Sequence, residues 1–140
     1  MTRTSPGRTQ VCTRADARAR RTQARKFLEV ADLVATEQDD NPESMNVAAS
    51  LAVLAGIAAA DAACCAVLGS RSRSNDHHDA ERLLDQIAPG GPEAAKQLRR
   101  LLNLKDSAQY GFMHVSRQSL QVTLRQARSL VDFADKELAA

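Results

Sequence analysis

Residues 47–68 form a run of 22 with a single charge, Asp61. A stretch of that length and apolarity folds either as a membrane span or as the enclosed helix of a helical core. Ten of the 22 residues are Ala, which adds almost no transfer free energy, and Asp at depth costs about 2.5–3.5 kcal/mol. The expectation is therefore a buried helix in a soluble protein, with no membrane partner. One side carries Ala48, Ala52, Gly56, Ala60 and Cys64 at i+4 intervals, a smooth seam for a close neighbour. Another carries Val47, Leu51, Leu54, Ala58, Asp61, Cys65 and Leu68. A helix apolar on nearly every face is the central element of its fold, and Asp61 lies within its bulky stripe.

The rest of the core must be built around it from Ala, Leu, Val and Ile. Aromatics are only 3% of the chain and there is no Trp, a composition that suits closely spaced helices better than a sheet. The spacing predicts five helices and almost no strand. Thr13-x-x-Asp16 opens the first, which carries Ala24, Phe27, Leu28, Ala31 and Val34 and runs to about Glu37. Asp39-Asp40-Asn41-Pro42 breaks it. The second begins at Glu43 or Ser44 and stops at Gly69. Residues 70–74 read as a polar loop. Asn75 or Asp76 caps a short helix with Ala80, Leu83, Leu84 and Ile87. Pro92 starts the fourth, which Gly111 ends after Tyr110. Ser116 caps the fifth, whose stripe of Leu120, Leu124, Ala127, Val131, Ala134 and Leu138 fits a bundle seam or a dimer interface. The expected fold class is all-α, an up-and-down bundle of four long helices plus one short helix. Residues 13–140 make one domain behind a disordered basic arm, residues 1–12.

Two charges stand out against these stripes. At 100° per residue, Lys105 falls within about 20° of Leu98, inside the stripe of Leu98, Leu101, Leu102 and Ala108. A lysine facing a core must snorkel, meet a carboxylate or serve a site. Asp61 has the same anomaly and is its candidate partner, either in a buried ion pair that fixes helix register or in a phosphate site. Residues 1–26 carry eight Arg and Lys against the single acid Asp16. Arg14, Arg18, Arg21 and Arg25 form a helical stripe that could track phosphates or simply face solvent. Without interleaved aromatics, base stacking and sequence specificity are not expected. Cys12, Cys64 and Cys65 are odd in number, with two adjacent on a helix. They read as small buried hydrophobes in a reducing cytoplasm rather than a disulfide framework or zinc site. Residues 1–26 lack the apolar segment of a secretory signal, so cytoplasmic localisation is expected. The motif N-D-H-H-D lacks the spacing of a metal site, so His77 and His78 are surface or cap residues, or recruits to a phosphate site.

Three pieces taken in order, A-G-I-A-A-A-D around Asp61, N-D-H-H-D-A-E-R-L-L, and L-K-D-S-A-Q-Y-G, resemble the HEPN superfamily of helical nucleotide-binding domains found in prokaryotes and higher eukaryotes. The resemblance spans residues 25–138. It implies a four- or five-helix bundle, often a homodimer. In the family's ribonucleases, an R-x4–6-H motif acts on the RNA backbone across a dimer cleft. Lys105 takes the Arg position here, and no His falls within the motif's window at Tyr110 to Phe112; His114 lies beyond it. The sequence is similar instead to the R-x-x-A-x-Y form, as K-D-S-A-Q-Y. What the resemblance implies is a degenerate module binding RNA, DNA or a nucleotide, with no cofactor or metal. Lys105, Asp61, the arginine stripe, His77 and His78 are the expected phosphate contacts. The alternatives are a metal-independent, toxin-type ribonuclease using Lys105, Tyr110 and His114 or His77/His78, and an interaction subunit partnering a nucleotidyltransferase-like protein. Tyr110, with a reference pKa near 10, is a poor base at pH 7.

Overall fold

Thr13 opens the first helix as its spacing from Asp16 predicts. Its Oγ1 accepts from the Asp16 N–H at 3.1 Å, and Asp16 Oδ2 accepts from the Thr13 N–H at 2.9 Å. That reciprocal capping box satisfies two end donors. The computed structural model describes residues 9–36, 41–73, 77–110 and 115–140, with residues 106–110 described by backbone alone. It is mostly helical: α1 (Arg14–Ala35), α2 (Pro42–Leu68), α3 (His78–Asp85), α4 (Gly91–Tyr110) and α5 (Arg117–Ala139). Asn41 caps α2 through its Oδ1, which accepts from the Glu43 N–H at 3.1 Å, and Pro42 takes the first helical position. Gly69 ends the helix in the left-handed region at φ 70°. Ser116 Oγ accepts from the Ser119 N–H at 3.0 Å and opens α5. The N-cap of α3 is His77, which makes no side-chain cap hydrogen bond, rather than the expected Asn75 or Asp76; those two residues and Gly111 lie outside the described residues.

The unbroken apolarity of α2 places it at the centre. It packs most extensively on α1, then on α5, then on α4. Ala48, Ala52, Gly56, Ala60 and Cys64 are all buried. Gly56 is the contact point of three helices, with the side chains of Leu101 and Leu130 closing on the space a Cβ would take. Around α2 a main cluster gathers Leu28, Val53, Leu84, Ile87, Leu98, Leu101, Leu130 and Val131. A second, at the other end, gathers Ala48, Ala49, Val115 and Leu120, with Leu104 packed against them. α1 and α2 run antiparallel, and Arg128 of α5 reaches Asp32 of α1 with Nη2 3.0 Å from Oδ2. By length and composition α2 could cross a membrane, but it is packed among helices instead.

Three expectations fail where the start of the chain meets the end of α2. Residues 70–74 are not merely a loop: β1 (Thr9–Val11) and β2 (Ser70–Ser72) pair antiparallel, with Thr9 opposite Ser72 and Val11 opposite Ser70. Residues 9–12 are therefore ordered rather than part of a disordered arm; residues 1–8 lie outside the description. The pairing carries Cys12 to the end of α2, where its N–H donates to the Gly69 carbonyl at 2.9 Å. There Cys12 forms a disulfide with Cys65, correcting the reading of three free thiols. Cys64 alone stays free, and it is buried.

Candidate functional site

The partner of Asp61 is Arg20, not Lys105. Arg20 lies on the face of α1 turned toward α2, and Asp61 is between three and four helical turns along its own helix from Ala48 and Ala49. Both Nε and Nη2 of Arg20 donate to Asp61 Oδ2, at 3.2 and 2.8 Å. The Asp61 side chain is 10% exposed and that of Arg20 is 29% exposed. The carboxylate therefore sits behind the guanidinium and aims it outward. Burial pushes the Asp61 carboxyl up from the ordinary aspartate range, while Arg20, then Arg71 and His77, pull it down. The neighbouring Cys64 thiol is pushed up to about 12, by burial first and the Asp61 charge second, so it is not a nucleophile at neutral pH.

Beyond Arg20 opens a cleft of about 230 Å³. It is lined by Asp16, Ala19 and Arg20 of α1, by Gln10, Val11 and Cys12, and by Arg71 of β2. Arg71 donates from Nη2 to Gln10 Oε1 at 3.1 Å and from Nη1 to the Ser72 carbonyl at 3.3 Å. Two guanidiniums, one pinned by a buried carboxylate and the other by the β1–β2 pair, thus line one concavity. Such forks suit tetrahedral oxyanions.

Lys105 is half-buried on α4 beside Leu104, which packs in the cluster of Ala48 and Ala49. Asp61 lies twelve residues beyond Ala49, roughly 18 Å along α2. A lysine laying its aliphatic stem along an apolar stripe accounts for that position. The arginine stripe faces α5. Arg14 Nη2 donates to the Leu138 carbonyl at 2.6 Å, and Arg25 Nη2 and Arg21 Nε approach Asp135 Oδ1 at 2.9 and 3.8 Å. Arg18 is exposed on the same helix. His77 lies close enough to Asp61 to act on its charge. His78 Nδ1 is 2.7 Å from Oε2 of the buried Glu81, whose Oε1 accepts from Arg99 Nε at 2.9 Å. The Tyr110 side chain and His114 lie outside the described residues, as does the side chain of Ala108. Among the described residues no group of His, Cys, Asp and Glu could hold a metal ion.

Arg20, Arg71 and Gln10 are absent from the sequence-level site. Arg20 has a signal: extended back two turns from Phe27, the α1 stripe of Phe27 and Ala31 runs through it. Comparison of the chain with family models, curated proteins and solved structures finds no match.

Proposed function

We propose that this protein is a HEPN-like module that binds the phosphate groups of a nucleic acid or nucleotide without cleaving them, and that it works as a homodimer. The observation carrying the reading is Arg20, held by buried Asp61 and lining one cleft with Arg71. The sequence offers Asp61 a cationic partner, in a register-fixing ion pair or in a phosphate site, and that cation is Arg20 rather than Lys105. Helices of 22, 27, 20 and 23 residues with an eight-residue α3 between the second and third of them support the up-and-down HEPN-like bundle. Exposed Arg14, Arg18 and Arg25 extend positive charge along α1.

The test is fluorescence anisotropy of labelled single-stranded RNA in EDTA across a salt series. Binding should weaken steeply with salt and leave the RNA intact. Arg71→Ala removes a charged donor without unpairing Asp61, and should weaken binding by about tenfold or more. No binding at low salt refutes the reading.

A ribonuclease is the second reading, favoured by one observation. The buried Glu81 carboxylate orients the His78 imidazole at 2.7 Å, with Arg99 lining the same small surface concavity. An oriented imidazole beside a cation is a general base with a partner for developing phosphate charge. Cleavage of RNA in EDTA that His78→Ala abolishes would establish this reading in place of the first.

A further inference from the structure

Resting on the phosphate-binding reading, we infer that the cleft between α1 and the β1–β2 pair takes one terminal phosphate monoester borne on a ribose, from a mononucleotide or from the 5′ end of an RNA strand. This cleft is walled on one side by Gln10 and Val11. That wall is fastened by the β1–β2 register, by the Cys12 N–H to Gly69 carbonyl bond and by the Cys12–Cys65 disulfide. At about 230 Å³ it is smaller than the usual small-molecule pocket, and fits a phosphate and its sugar better than a whole dinucleotide.

The polar lining sorts by chemistry. Arg20 makes three side-chain bonds, two to Asp61 and one from Nη1 to Gln23, so two of its five N–H donors remain for a ligand. Arg71 uses one N–H of each Nη and keeps its others. A terminal phosphate offers three oxygens and a charge of about −1.5 to −2 at pH 7, against two unbridged oxygens and one charge in a diester. Asp16 also lines the cleft, and an anion alone gives a carboxylate nothing to accept. A ribose hydroxyl beside the phosphate does, as an acidic residue accepts from a ribose hydroxyl in dinucleotide sites. Asp16 commits Oδ2 to its own helix cap, so a hydroxyl would meet Oδ1.

The experiment uses the full chain and a short oligoribonucleotide labelled at its 3′ end, prepared with a 5′-phosphate and with a 5′-hydroxyl. AMP, dAMP and adenosine serve as competitors. The 5′-phosphate form should bind about tenfold tighter, or AMP should displace the probe where adenosine does not. The first result assigns the RNA end as source and the second the free nucleotide. Arg71→Lys, which keeps the charge and loses the fork, should remove most of the advantage. Asp16→Asn, which retains an acceptor for the Thr13 N–H, should narrow the preference for AMP over dAMP. Equal binding of both oligonucleotides with no displacement by AMP overturns the inference while leaving backbone binding intact. No binding of either overturns both.

Discussion

Asp61 and Arg20 each interrupt an apolar stripe, and each is accounted for by the other. The pair has a pH signature whose sign follows from the Asp61 environment. Burial raises its folded-state pKa above the ordinary value of 3.8. Between the unfolded and folded values the native state binds more protons, so the Asp61 contribution to stability is full below 3.8 and is lost as pH rises through the raised value. Asp61→Asn keeps an acceptor for Arg20 and cannot ionise. In urea titrations from pH 3.5 upward through the weakly acidic range, the stability of the wild type relative to Asp61→Asn should therefore fall. A difference that grows in favour of the wild type over that window would mean that the Arg20 charge, and not burial, governs the carboxylate. The same pair marks how far the site could be read from residues. Stripe positions give the face on which a charge lies. They do not give its height along the bundle, and face alone pairs Asp61 with Lys105 as readily as with Arg20. Height comes from connectivity. α1 and α2 are joined by a short connection, so they run antiparallel, and Arg20 lies 15 residues before the end of α1 while Asp61 lies 19 residues into α2. The mismatch of one turn is within the reach of an arginine side chain.

At the scale of the element, close approach of helices rests on two glycines with different surroundings. At Gly91, the start of α4, an added Cβ would meet the backbone oxygen of Leu84 and lie 3.1 Å from Ile87 Cβ. The backbone that links α3 to α4 cannot yield as a side-chain tip can. Gly91→Ala should cost about 1–3 kcal/mol, read as a lower urea midpoint with an unchanged slope. At Gly56 the obstacles are side-chain methyls of Leu101 and Leu130, so Gly56→Ala should cost less than Gly91→Ala if those leucines can shift within the core. The reverse order would mean that the leucine layer is the more rigid part. The long helices were legible because their signals are local: an apolar run, a capping box, a Pro after an Asn, a Gly at the end. The strands were not. Thr9-Gln10-Val11 and Ser70-Arg71-Ser72 are three residues each and almost wholly polar, and only their mutual pairing across the molecule makes them strands.

For the molecule as a whole, that pairing decides which cysteines meet, and the consequence is measurable. Cys12 and Cys65 are 53 residues apart, too far for any local pattern to join them, and the adjacent Cys64 and Cys65 divide between a free thiol and a bridge because their side chains leave α2 in different directions. A cross-link over a loop of this length removes unfolded-state entropy worth about 2–4 kcal/mol. It also ties β1, with Val11 84% exposed, to the end of the central helix. Reduction by a phosphine should lower the melting temperature by on the order of 10 °C while leaving the far-ultraviolet helical signal below the transition unchanged, because the main core does not include β1. Thiol counting fixes the interpretation. The native oxidised protein should titrate no thiol with a disulfide reagent, since Cys64 is buried and its pKa is about 12. In denaturant the oxidised chain should titrate one thiol and the reduced chain all three. If three titrate without reduction, the bridge is absent in solution. The wall of Gln10 and Val11 then rests on three residues of strand pairing, and Cys12→Ser should leave both the melting temperature and the anisotropy of bound RNA where they were. If one titrates, Cys12→Ser should lower the melting temperature as reduction does and weaken the 5′-phosphate preference with it, because the same bond that closes the loop holds the wall of the cleft in place.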